Sequence, residues 1–168
     1  MKWINHQIVT GFIVFAATDN ALSVASSIVG AVIPDRVEGD PPKESKAYWE
    51  WRKHHRTWSH YPVIYFALLA ALLFAKDLII IQNPMIEPLF DVGMYVLIGA
   101  LLHIAEDAIC GKVPLFTPTT KYGIKLFTVG SFKEYLFSII IIAICLFSRF
   151  GDFDQLKNFI MTSIQKFI

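Results

Sequence analysis

Cysteine is nearly absent: Cys110 and Cys145 are the only two, and they lie far apart in apolar runs. That excludes a secreted scaffold stapled by closely spaced disulfides. Charge is also sparse, with Asp, Glu, Lys and Arg making up 17% of the chain against about a quarter in a soluble domain. A disordered tail is excluded, because 55% of the residues are hydrophobic. Neither sign of charge dominates: 15 Lys+Arg against 14 Asp+Glu gives +1, with no cationic tract. A nucleic-acid partner held by bulk charge is therefore not expected. Repeats and low-complexity stretches are missing as well. What remains is a chain of 168 residues with a mean hydropathy of +0.50. It reads as a single domain over residues 1–168, an all-α integral membrane helical bundle.

Four apolar stretches give about four transmembrane segments. The first runs from Ile8 to Ile33 and is broken at Asp19-Asn20, so it is either one interrupted span or a tight helical hairpin. Lys2 before the apolar core Ile8–Ala17 imitates a secretory signal, but Ala16-Ala17-Thr18 makes a poor cleavage region and an anchor is expected. The second stretch is Pro62–Gln82, the third Val92–Cys110 and the fourth Tyr135–Phe150. A straight span needs roughly 20 residues, which leaves the second and fourth short or partly interfacial. After them, Phe153, Leu156, Phe159-Ile160, Ile164 and Phe167 recur at spacings near three and four. That pattern predicts a C-terminal amphipathic helix lying on the bilayer surface.

Ten of the fifteen cations fall in two connections: Arg36, Lys43, Lys46, Arg52, Lys53 and Arg56 in one, Lys112, Lys121, Lys125 and Lys133 in the other. The short connection Asn83–Asp91 has none. The positive-inside rule places both cationic connections in the cytoplasm.

The informative residues are polar ones in apolar surroundings. An acidic side chain at the centre of an apolar span costs about 2.5–3.5 kcal/mol, yet the third segment carries His103, Glu106 and Asp107. His103 and Asp107 are four apart and share a helix face, with Gly99 one turn earlier on that face, where another backbone can approach closely. The pair is either a two-ligand clamp for a divalent metal or a hydrogen bond that fixes packing. Glu106 points about 100° away, and so is a supporting residue or an acid/base. Before the second segment, His54-His55-Arg56-Thr57-Trp58-Ser59-His60 gathers three of the five histidines. The alternatives are a site, in which Arg56 suits bidentate phosphate binding, and an interfacial belt with Trp49, Trp51, Trp58, Tyr48 and Tyr61. Asp35, after Pro34 and before Glu38 and Asp40, either caps a turn or binds metal. His6 is a further candidate or a polar flank. If the first segment is a hairpin, all five histidines lie near one membrane face. Lys76-Asp77 reads as a snorkelling or internally paired couple near the other face.

This ordered set of His6, Pro34-Asp35, His55-Arg56-x-x-x-His60 and Gly99-x-x-x-His103-x-x-x-Asp107, then Gly111 and Pro114 to Pro118, resembles the YdjM-type (LexA-regulated) membrane-bound metal-dependent hydrolases. That family looks distantly similar to zinc-dependent phospholipases C and single-strand zinc nucleases. The resemblance spans residues 6 to 118. It implies metal ligation by Asp35, His55, His60, His103 and Asp107, with His6 a sixth ligand. The chain departs from the family where a second Asp commonly follows two residues after the first. Val37 stands there, with Glu38 or Asp40 as substitutes.

The expectation is a multi-pass protein of a bacterial inner membrane, in contact with its lipids, with a divalent-metal site toward the cytoplasmic face. Imidazoles with carboxylates suit zinc better than magnesium. The expected reaction is hydrolysis of a phosphoester, such as a lipid head group, by metal-activated water. Arg56 would stabilise the phosphoryl charge, and Glu106 or Glu38 would serve as base. The rivals are a non-catalytic protein with a structural metal, and a metal or proton transporter using His103 and Asp107 as a relay.

Overall fold

The computed structural model describes residues 1–80 and 83–165. Gln82, at the end of the second expected segment, and Phe167, in the C-terminal pattern, lie outside them.

The first apolar stretch folds as a hairpin of helices α1 (Trp3–Thr18) and α2 (Ala21–Gly30). Its break is local chemistry. Asp19 takes the left-handed conformation with φ 52°, which short polar side chains tolerate. Asn20 then caps α2, its side-chain oxygen accepting from the Leu22 and Ser23 amides at 2.9 and 3.1 Å. Short α3 (Ile33–Glu38) follows with Pro34 in its first turn. Next comes α4 (Ser45–His54), a helix with no buried residue that the composition of this polar connection did not announce. A 3-10 turn, Trp58–His60, leads into α5 (Pro62–Ile80).

Helix α6 runs Glu87–Cys110, longer at its start than expected, because Glu87 and Pro88 suit a first helical turn. It packs against α5 on one side and α2 on the other. The α2–α6 crossing depends on two glycines. A Cβ at Gly30 would overlap the Val96 carbonyl oxygen, and one at Gly99 the Ser27 carbonyl oxygen. The two backbones therefore touch directly. The connection after α6 holds a two-residue antiparallel pairing of β1 (Val113–Pro114) with β2 (Lys121–Tyr122); the fold is otherwise all-α.

Helix α7 (Phe132–Phe150) starts earlier than its apolar run, because Ser131 caps it at the Glu134 amide. It packs on α1. Buried Glu134 accepts from the Lys2 and Gly130 amides at 2.8 and 2.6 Å and from the Asn5 side chain, tying the start of α1 to α7. Helix α8 (Phe153–Gln165) turns away from α7 by 88° after Gly151. Phe159 packs on Phe15 and Phe150 with ring centroids 6.1 and 5.0 Å apart.

Among the described residues two helices are long and apolar enough to cross a bilayer, Pro62–Ile79 and Glu87–Cys110; the bent pair α7 and α8 would make a third. Helices α1 and α2, of 16 and 10 residues, fall short of the length of a straight span. Lys76 does not pair with Asp77. Neighbours on a helix point about 100° apart, and Lys76 reaches across to Asp91 at 2.8 Å and Glu87 at 3.7 Å on α6.

Candidate metal centre

Four side chains from three elements converge where α2 hands over to α3: Asp35 of α3, His60 of the 3-10 turn, and His103 and Asp107 of α6. One ligand atom from each lies within 4.8 Å of all the others. His60 Nε2 is 3.3 Å from Asp35 Oδ1, 3.3 Å from Asp107 Oδ2 and 3.3 Å from His103 Nε2. His103 Nε2 is 3.7 Å from Asp35 Oδ1 and 3.6 Å from Asp107 Oδ2. Tetrahedral ligands at about 2.0–2.1 Å from zinc stand roughly 3.4 Å from one another, so these separations fit one small cation shared by all four.

The imidazoles are oriented for that role. His103 Nδ1 is 2.6 Å from the Ala31 carbonyl oxygen. A carbonyl only accepts, so Nδ1 carries a proton, and Nε2 is the nitrogen turned toward the other donors. His60 Nδ1 is engaged by the Ser59 hydroxyl at 2.9 Å, which likewise leaves Nε2 facing inward. The Asp107 side chain is 1% exposed. Arg56 Nη2 and the Met1 amino group donate to its Oδ1 at 2.8 and 2.7 Å. Oδ2 faces Arg56 Nε at 2.8 Å and His60 Nε2 at 3.3 Å. Burial alone would push the Asp35 carboxyl up, but hydrogen bonds from His103 and His60 hold it well below the usual carboxylate range.

The remaining expected residues surround this group. Buried His6 stacks on His103 with ring centroids 3.9 Å apart, and its Nε2 is 3.3 Å from Asp107 Oδ1. Glu106 faces away from the four donors. It holds His6 Nδ1 at 2.6 Å and accepts from the Thr10 hydroxyl at 3.2 Å. His55 stands outside the four-donor set, with its Nδ1 on Glu38 Oε2 at 2.7 Å and its ring stacked on Trp51 at 4.4 Å. The other Glu38 oxygen accepts the Arg56 amide at 2.6 Å. This fixes Arg56 in a left-handed conformation with φ 58°, a strained state for a residue with a Cβ, and aims its guanidinium at Asp107. His54 ends α4 exposed, and Val37 is 71% exposed. Asp40 is exposed as well and takes no part.

Two contributors had no readable signal. The Ala31 carbonyl belongs to the backbone. Glu134, which seats the start of α1, lies 132 positions from its partner Lys2. Glu38 had a partial signal in its spacing after Asp35.

A cleft of about 1320 Å³ opens beside the centre, lined by Asp35, Glu38, His55 and Arg56 among others. Of the four donors, Asp35 alone lines it. A family model described as YdjM inner membrane protein matches residues 1–165. No curated protein and no solved structure matches the chain.

Proposed function

The chain belongs to the YdjM inner membrane protein family, and from that premise we propose that it is a zinc-dependent phosphoesterase whose site lies at the cytoplasmic face of the membrane. The observation that carries the reading is the convergence of Asp35, His60, His103 and Asp107 beside a cleft that Asp35 and Arg56 line. Two imidazoles and two carboxylates at near-tetrahedral spacing suit zinc better than magnesium, which favours an octahedral oxygen shell. When bound, the cation would supply Lewis-acid polarisation of a phosphoryl oxygen and activation of a water nucleophile.

The chain's own groups do the rest. Arg56, locked by Glu38 at its amide and by Asp107 at its guanidinium, lines the cleft and can stabilise charge building on a phosphoryl group. Of the two carboxylates considered as bases, Glu38 lines the cleft, whereas Glu106 is buried beneath His6 and orients it. His55 and Glu38 hold each other at the cleft wall. The cytoplasmic placement is supported by the cations of the two connections that bracket the cleft. The substrate is a phosphoester presented at the membrane surface, with a lipid head group the reading that suits a site at the end of a spanning helix.

The second reading is a structural metal, favoured by the count of four protein donors, since catalytic zinc usually has three and an open position. A transport relay has less support: from Val92 to Leu102, α6 carries no charged side chain to continue the path. The test is to purify the protein in detergent, measure bound metals by elemental analysis, and assay bis(p-nitrophenyl) phosphate and phospholipids, with His103→Ala and Asp107→Ala beside the wild type. The expected result is zinc in the wild type, lost from both variants together with hydrolysis. Metal content unchanged in both variants overturns the site. Metal lost from the variants, with no hydrolysis by the wild type, establishes the structural reading instead.

A further inference from the structure

The cleft beside the metal centre has three properties that the site chemistry does not use. Its lysines are unpaired while its acids are engaged. Lys112, Lys125 and Lys133 line it as exposed side chains with no acidic partner among the described residues. By contrast, Asp35 faces His60 and His103, and Glu38 faces His55 and Arg56. A cleft that is net cationic, with Arg56 in its lining, attracts more than one negative charge.

Three of the aromatic side chains that line the cleft already hold a partner from the protein itself. Arg36 lies over Trp3 at 4.7 Å, Arg52 over Tyr48 at 5.9 Å, and the His55 ring stacks on Trp51 at 4.4 Å. A choline group gains from such faces and would compete there with groups already seated, whereas an anionic head group meets the unpaired lysines directly.

The third property is the rim. On the connection that carries the lysines, Leu126, Val129 and Phe132 also line the cleft and are 57, 54 and 79% exposed. Apolar side chains beside lysines, just past the end of α6, match the chemistry of the bilayer interface. A soluble phosphate ester has no use for them.

We propose that the cleft takes a phospholipid of net negative head-group charge directly from the bilayer and discriminates against choline lipids. The head group lies against Lys112, Lys125 and Lys133, and the upper acyl chains lie against Leu126, Val129 and Phe132. As the identity of a substrate, this rests on the phosphoesterase reading; as a lipid site, it stands on the cleft.

The experiment measures binding rather than turnover. The full chain in neutral detergent is titrated with fluorophore-labelled phosphatidic acid and with phosphatidylcholine of matched chains. Glycerol 3-phosphate serves as the chain-free competitor. Each lysine near an anionic surface contributes roughly fivefold. Phosphatidic acid is therefore expected to bind at least tenfold more tightly than phosphatidylcholine. The triple variant K112Q/K125Q/K133Q is expected to lose roughly a hundredfold in phosphatidic acid affinity with its metal content unchanged. Equal binding of the two lipids, an unaffected triple variant, or displacement by glycerol 3-phosphate at concentrations comparable to the lipid's would each overturn the inference. Hydrolysis of bis(p-nitrophenyl) phosphate by the wild type is followed in parallel. Hydrolysis without lipid preference removes the lipid site and leaves the phosphoesterase. Lipid preference without any hydrolysis removes the phosphoesterase and leaves the site.

Discussion

The two ends of the helical bundle both hold acidic side chains against basic ones, to opposite effect. At one end, His6, His60, His103, Glu106 and Asp107 are at most 4% exposed, and Asp107 alone faces three imidazoles and Arg56. At the other end, Arg149 pairs with Asp19, and Lys76 pairs with Asp91, as couples whose acidic partners are 50 and 42% exposed. Solvated pairs of this kind are worth at most about 1 kcal/mol, and their role is to anchor helix ends at the interface. A buried carboxylate among many cationic or imidazole partners is far more costly to leave unmatched. Burial and the number of partners, more than residue type, mark the first end as a site.

That contrast can be broken from its strong side first. Asp107→Asn would leave Arg56 and the buried Met1 amino group against a neutral partner, and should cost about 3–5 kcal/mol, read as a large fall in Tm in detergent with loss of bound metal. A variant that melts like the wild type would place Asp107 in the same class as Asp91. Gly99→Leu comes next. Its side chain must displace the Ser27 carbonyl, at about 1–3 kcal/mol, and the helix shift carries Ala31 away from His103. The expected result is a lower Tm together with weaker metal retention in elemental analysis; retention at wild-type level would show that the crossing does not position the imidazole. Glu38→Gln sharpens the comparison within the site. It keeps the shape but weakens its grip on His55 and the Arg56 amide. Metal should therefore be retained while phosphoester hydrolysis falls roughly tenfold. Loss of metal instead would make Glu38 part of the donor set. The smallest effects belong to the other end: Lys76→Gln and Arg149→Gln should each change stability by less than about 1 kcal/mol and leave metal content alone. A change comparable to that of Asp107→Asn would erase the distinction.

The parts of this arrangement legible in the sequence are those set by helical period. His103, Asp107 and Gly99 share a face because they are four apart, and the structure uses that face for donors and for the close crossing with α2. The length of α6 and the hairpin break were partly legible: Asp19-Asn20 shows a break, but an interrupted span and a hairpin both fit it until the cap on Leu22 and Ser23 is seen. Lys76 and Asp77 illustrate the failure. They are adjacent in sequence, yet the true partner is Asp91, brought near by the packing of α5 on α6. The same holds for Glu134 with Lys2 and for Glu38 with the Arg56 amide, contacts made by chain topology. His55 and His60 sit in one short run but divide between the cleft wall and the metal group, because the chain turns between them at Arg56. Span number was least legible, since α1 and α2 are apolar enough for a bilayer but too short to cross it straight.

The glycine contact between α2 and α6 has a mechanical consequence. With no side chains between the two backbones, their spacing cannot be adjusted by a change of rotamer. The Ala31 carbonyl that orients His103 is one residue beyond Gly30, and His103 is one turn beyond Gly99. The height of the imidazole above the carboxylates is therefore gauged by backbone against backbone, and a thicker or thinner bilayer that tilts these helices must move them as one piece.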